Sequence, residues 1–164
     1  MALPMLRFLR RSDDQDGLPP SVGDDWRVYA IGDIHGRLDL LDHLLGMLAA
    51  DDALRPGKRR CLILLGDLID RGPHSAQVIE RVRALHGSGG DIRLLKGNHE
   101  EIFVMAARGD QGAVSFFRRI GGMETLASYG LPLSLSDDMD DGAIAHWMLN
   151  YIPRADVDFL DSFV

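Results

Sequence analysis

The chain has 164 residues, 46% of them hydrophobic, which is enough for one globular domain with a real core and too short for two full domains. Eighteen basic residues against 25 acidic ones give a formal charge of −7, which repels a phosphate backbone and argues against a nucleic-acid polymer as partner. A phosphorylated small molecule or protein stays compatible with that charge, because a bound metal ion dominates its local field.

The first residues place Arg7, Arg10 and Arg11 among and after Leu6, Phe8 and Leu9, without the long apolar run of a signal peptide or membrane span. No stable membrane insertion is expected, only an option of transient surface contact through Leu6, Phe8 and Leu9. Residues 12–25 are rich in Asp, Gly and Pro and lack apolar periodicity. Residues 1–25 are therefore read as a flexible N-terminal arm and residues 26–164 as the domain. The single cysteine, Cys61, cannot form an internal disulfide, sits beside an apolar run and is expected in a buried strand, which fits a reducing cytoplasm.

Three short apolar runs, residues 27–31, 61–65 and 92–95, read as buried strands. Between the first two, Leu41, Leu44, Leu45 and Leu48 form a helical stripe within residues 38–48; between the second and third, Val78, Ile79, Val82 and Leu85 form another, with Pro73 near its start. Strand, helix, strand, helix, strand predicts an α/β fold with three parallel strands joined by right-handed crossovers. After Glu100 the pattern predicts helices over residues 102–108, 113–120, 123–129 and 144–151, the last preceded by an acidic turn of Asp137, Asp138, Asp140 and Asp141, and helical character again toward residue 164. These helices carry no ligand spacing and are expected to cover the sheet and wall the site.

The chemistry gathers where the strands end, at the edge of a parallel sheet that binds ligands in such folds. Gly32-Asp33-Ile34-His35-Gly36 follows the first strand, Gly66-Asp67-Leu68-Ile69-Asp70-Arg71-Gly72 the second, and Gly97-Asn98-His99-Glu100 the third. Asp33 and His35, two apart in an extended loop, would face the same side, with Gly32 and Gly36 allowing a tight turn. Asp67, Asn98 and His99 would add oxygen and nitrogen ligands from the other two strands. Carboxylate, imidazole and amide together suit Mn²⁺, Fe or Zn²⁺. With Asp67 bridging, two ions would lie roughly 3.5–4 Å apart, the spacing that serves in-line displacement at phosphorus. His43 reads as a surface or packing residue, and His74 and His86 as helix-capping groups. His146 lacks the strand-end context of a ligand.

These three motifs resemble those of the calcineurin-like metallophosphoesterases, in the phosphoprotein phosphatase branch that includes serine/threonine protein phosphatases and symmetrical diadenosine tetraphosphatases. The resemblance runs from about Val28 to Tyr151 and includes the less specific stretches Gly121-Gly122-Met123-Glu124-Thr125-Leu126 and Ser128-Tyr129-Gly130. It implies the N-terminal part of a four-layer αββα sandwich. By the same resemblance, Asp33 and His35 bind the first metal, Asp67 bridges and Asn98 binds the second. Arg71 holds substrate phosphate, His99 donates a proton to the leaving oxygen, and Asp70 orients it. A metal-bridging hydroxide would be the nucleophile and Mn²⁺ the favoured ion, while Glu100 would cap the following helix.

The two further histidines that complete the second metal site in this family have no counterpart in these 164 residues. The chain therefore reads as a member truncated at its C-terminal side, with an apolar sheet face or edge left uncovered and the second site incomplete. The expected activity is hydrolysis of phosphoserine or phosphothreonine in proteins, with a symmetrical dinucleoside polyphosphate as the alternative substrate. A reading of another class is a catalytically inactive fragment or binding module.

Overall fold

The computed structural model describes residues 21–136 and 138–164. The proposed arm therefore lies, up to residue 20, outside the described residues, together with Leu6, Phe8 and Leu9; so does Asp137 of the acidic turn. Residues 26–100 form β1 (Trp26–Ile31), α1 (Leu38–Leu54), β2 (Arg59–Leu64), α2 (Ser75–Gly87) and β3 (Asp91–Leu94). β2 pairs in parallel with both neighbours, giving the order β1-β2-β3. The α/β expectation holds.

The strands begin a residue or two before their apolar runs. Trp26 pairs with Arg59 and Arg27 with Arg60, and the Arg59 guanidinium lies 4.1 Å from the centre of the Trp26 ring. A cation over an aromatic face stabilises that extra register. α1 runs six residues past its leucine stripe because Asp51 and Asp52 are anchored back onto β1: Tyr29 Oη donates to Asp51 at 2.7 Å, and Arg27 pairs with Asp52 at 2.6 Å.

Side chains alternate across the sheet. Ile31, Leu62, Leu64 and Leu94 are buried on the face toward the helices, where Leu41, Val78, Ile79 and Val82 meet them. α1 and α2 part over this face, and with Tyr29, Leu62 and Ile92 they line a cavity of about 560 Å³ to which none of the three motifs contributes. On the opposite face Val28 is 37% exposed and Leu65, just past β2, is 50% exposed. The second sheet of a four-layer sandwich is not present among the described residues. Val164 does lie along the outer edge of β3, donating to Leu94 O (3.1 Å) and accepting from Lys96 N (2.8 Å).

The remaining helices are α3 (Asn98–Ala107), α4 (Gln111–Arg119), α5 (Gly122–Ser128), α6 (Leu133–Ser136), α7 (Asp141–Tyr151) and α8 (Arg154–Asp161). α3 starts four residues earlier than its apolar pattern predicts, so Asn98, His99 and Glu100 form its first turn. α6 has no sequence counterpart among the expected helices, being a single turn too short to show a period. The side chains of Asp110 and Asp140 cap α4 and α7 by accepting from Ala113 N (3.0 Å) and Ala143 N (2.7 Å).

The helices extend the same core through Phe103, Val114, Phe117, Leu126, Ile144, Met148 and Leu160, all essentially inaccessible. Each such side chain contributes roughly 1.5–3 kcal/mol by burial. A polar tie joins this core to α2: Arg83 pairs with Asp156, whose other oxygen accepts from Tyr129 Oη at 2.8 Å. Burial, with Asp156 beside it, pushes the Tyr129 phenol well above its ordinary pKa. Cys61 is buried in β2 as expected. No described helix is long and apolar enough to cross a membrane.

Candidate active site

The three motifs meet at the C-terminal edge of the sheet, and their backbone is strained. Every non-glycine residue with positive φ among the described residues lies here: His35 (46°), Asp67 (53°), Asp70 (73°) and Arg71 (66°). A left-handed conformation costs a non-glycine residue about 1–3 kcal/mol unless its surroundings hold it.

In each case a different segment holds the strained residue's own N–H. His35 N donates to Asp67 O (3.0 Å), Asp67 N to Glu100 Oε2 (2.8 Å), Asp70 N to Thr125 Oγ1 (2.9 Å), and Arg71 N to Gly121 O (2.8 Å). The first loop is thus fixed by the second, the second by α3, and the Asp70–Arg71 corner by α5 and the residue before it. The loops also approach too closely for side chains. A Cβ on Gly72 would strike His35 O, and one on Gly97 would strike the Asp67 carboxylate. Gly32, by contrast, has open space around it and no positive φ, so the tight turn expected there is made by His35 and Gly36 instead.

Asp33 and His35 do come together, but not by extended alternation. The left-handed turn at His35 brings its Nε2 to 3.6 Å from Asp33 Oδ2, with the Asp33 side chain 68% exposed. His35 Nδ1 lies 2.8 Å from Ile69 O. A carbonyl can only accept, so Nδ1 carries the proton and the Nε2 lone pair points into the site, the tautomer a metal ligand needs. His35, Asp67 and His99 offer ligand atoms that all lie within 4.8 Å of one another. With Asp33 beside them, this donor set fits a divalent ion of the Mn²⁺, Fe or Zn²⁺ type. Asn98 is exposed at the start of α3, next to His99, whose N–H reaches Asp67 Oδ1 at 3.3 Å.

His99 and Asp70 form a buried pair, with Nδ1 2.7 Å from Asp70 Oδ2. Burial pushes the Asp70 carboxyl from its ordinary 3.8 up to about 6, against the opposing pull of the hydrogen bonds from Thr125 and His99. Arg71 reaches across both imidazoles: its Nη1 is 2.9 Å from His35 Nε2 and its Nη2 3.2 Å from His99 Nε2. The two rings stand edge to face at 4.7 Å. One exposed guanidinium therefore sits over the candidate ligands and the candidate acid at once, where a phosphate would meet all three.

Two residues do more than the sequence showed. Glu100 caps α3 through Gly97 N (2.9 Å), but the same carboxylate also accepts from Asp67 N and Leu68 N, each at 2.8 Å. Thr125, within a stretch noted only as a weak family match, contacts Asp70 directly. The histidines outside the motifs take no part. His74 is the N-cap residue of α2 without a side-chain capping bond, so its expected capping role is not seen. The His86 ring, in the last turn of α2, packs 6.3 Å from that of Phe159, His43 is exposed, and His146 is on the surface with Asn150.

Residues 27–153 match the family described as calcineurin-like phosphoesterase. The symmetrical bis(5'-nucleosyl)-tetraphosphatase of Baumannia cicadellinicola is 31% identical over 131 residues, which are 80% of this chain and 38% of that protein. Its namesake in Acidovorax ebreus is 39% identical over 82 residues, 50% of this chain and 26% of that protein. The chain thus spans between about a quarter and two fifths of the length of these curated relatives. Among solved structures, a hypothetical protein from Pyrococcus horikoshii OT3 superposes over 84% of this chain and 48% of its own, with a TM-score of 0.54 at 14% identity, a likeness of fold.

Proposed function

The chain belongs to the calcineurin-like phosphoesterases, and from that premise we propose that it hydrolyses a phosphorus–oxygen bond with divalent metal ions, its substrate class being a symmetrical dinucleoside tetraphosphate. The observation that carries the chemistry is the convergence of His35, Asp67 and His99 under the Arg71 guanidinium. The substrate class is supported by the tetraphosphatase relatives, which favour the alternative of the sequence reading over phosphoserine or phosphothreonine.

Asp33, His35 and Asp67 would hold one ion, and Asp67 with Asn98 would begin a second site; Mn²⁺ is the ion we propose, and Fe or Zn²⁺ would suit the same donors. When bound, such ions supply Lewis-acid charge at phosphorus and a water nucleophile at neutral pH. Arg71 moves its two donors from the imidazoles onto phosphate oxygens. That movement frees the Nε2 lone pair of His99 to take up a proton from water, and the imidazolium so formed would pass it to the leaving oxygen while Asp70 holds Nδ1–H and stabilises the cation. Glu100 keeps Asp67 in its strained conformation throughout. The lone buried thiol of Cys61 supports a reducing, cytoplasmic setting.

The test uses the full 164-residue chain with Mn²⁺ and either diadenosine tetraphosphate or a phosphoserine peptide. Faster turnover of the dinucleotide, abolished in Asp67→Asn, is expected. Preference for the peptide would restore the protein phosphatase reading. Turnover of neither, together with less than one bound metal per chain, would favour a binding module.

A further inference from the structure

Thr125 is inaccessible to solvent and touches Asp70 twice. Its Oγ1 accepts from Asp70 N at 2.9 Å and donates to Asp70 Oδ1 at 2.6 Å. Oδ1 has no other partner among the described residues, and Oδ2 is left for His99 Nδ1 at 2.7 Å. A hydroxyl has one proton, so with it committed to the carboxylate the lone pairs of Oγ1 serve Asp70 N–H and the Ser75 hydroxyl 2.9 Å away. One side chain on a helix 55 residues downstream thus touches both ends of Asp70, its carboxylate and its left-handed backbone, sharing the backbone N–H with Ser75 Oγ at 3.1 Å.

We propose that Thr125 is a positioning residue of the phosphoesterase site, acting through Asp70 on His99 so that Nε2 is aimed at the leaving-group oxygen. The proposal rests on the hydrolase reading above for its kinetic consequence but not for its geometry. A threonine that merely filled the core would need one hydrogen bond, anywhere. Thr125 instead spans the N–H and the otherwise unpartnered oxygen of the same aspartate, whereas the Ser75 hydroxyl, which shares that N–H at 3.1 Å, does not reach the carboxylate among the described residues. A carboxylate held at one oxygen alone can rotate about its χ2 bond, and a small misaim of the acid costs rate without weakening substrate binding.

The experiment compares Thr125→Val, which keeps the shape and loses the hydroxyl, with Thr125→Ser, which keeps the hydroxyl, using 4-nitrophenyl phosphate and phenyl phosphate in Mn²⁺. Thr125→Val is expected to lower kcat roughly 10- to 100-fold on phenyl phosphate, whose leaving group needs the acid, and much less on 4-nitrophenyl phosphate, with KM unchanged. Thr125→Ser should stay within about threefold of the parent, and Thr125→Val should add no loss in a His99→Asn background. Equal losses on both esters, or a full further loss beside His99→Asn, would overturn the proposal. If Thr125→Val does not fold, Thr125→Cys, a weak donor of similar shape, is expected to give the same leaving-group pattern. A second readout needs no turnover: the downfield proton NMR signal of the imidazole N–H held by Asp70 should be present in the parent and Thr125→Ser, absent in His99→Asn, and shifted or broadened in Thr125→Val. An unchanged signal in Thr125→Val sinks the proposal even in an inactive chain. Turnover that survives Asp67→Asn would instead sink the metal-site assignment of the reading above.

Discussion

Residues 26–100 and residues 101–164 bury polar groups in different ways. In the first region Asp70, Ser75, His99 and Glu100 are buried polar side chains within or beside strained backbone. In the second the buried side chains are apolar apart from Thr125 and Asp156, and both of those reach back: Thr125 to Asp70 and Ser75, Asp156 to Arg83. The first region supplies the candidate reactive groups. The second supplies no candidate ligand, yet its α5 end holds two of the four left-handed residues in place, through Thr125 and Gly121. Spacing of chemistry and support of chemistry are thus separable along the chain.

The largest break in that division is expected from the first region. Asp67→Asn should cut turnover by roughly 10³-fold and lower metal content per chain, while the thermal midpoint moves little. Metal analysis beside initial rates checks it; retained metal and rate would remove Asp67 from the site.

Glu100→Gln is next. Its two carboxylate oxygens accept from three backbone N–H groups, and an amide offers one acceptor while turning a donor toward the others. A loss of about 2–4 kcal/mol is expected in urea unfolding, since charge-assisted bonds in a buried site are lost and a donor is left facing donors. A loss below about 0.5 kcal/mol would mean that α3 does not support the Asp67 loop.

Asp70→Asn should sharpen the contrast through pH. The folded carboxyl titrates near 6 instead of its ordinary 3.8, so the fold favours its protonated form. That contribution is fully present below about pH 4 and is lost as pH rises through about 6, a change on the order of 3 kcal/mol. In metal-free protein the stability of the parent relative to Asp70→Asn should therefore fall across that window, and in Mn²⁺ the variant's turnover should drop. Urea midpoints on both sides of the window decide this; a difference that does not move with pH would contradict the raised carboxyl.

The smallest effect belongs to the second region alone. Tyr129→Phe removes one hydrogen bond to Asp156 and leaves Arg83 in place. About 1 kcal/mol of stability should be lost with kcat unchanged. A changed kcat would show that the α2–α5–α8 tie reaches the site.

Much of the candidate site was legible because its residues are local in sequence. Asp33, His35, Asp67, Asp70, Arg71, Asn98 and His99 each lie within a few residues of a strand end, and the apolar runs and leucine stripes between them carry the period of their elements. The boundaries were less legible where a partner decided them. Trp26 joins β1 through Arg59, and α1 continues to Leu54 through Asp51 and Asp52. α3 begins at Asn98 with Glu100 capping it, not at its first apolar residue.

By itself the sequence determined the α/β order, the edge of the sheet where the motifs meet and which candidate donor side chains gather there, because these follow from periodicity and from side chains at fixed spacing. Only the tertiary structure decided how those atoms are held. The left-handed backbone at His35, Asp67, Asp70 and Arg71 is held by Asp67 O, Glu100, Thr125 and Gly121 O, groups between 32 and 55 residues away, and nothing in the spacing of any of them names its partner. Such partnerships depend on which surfaces touch after folding, and no local period carries that information.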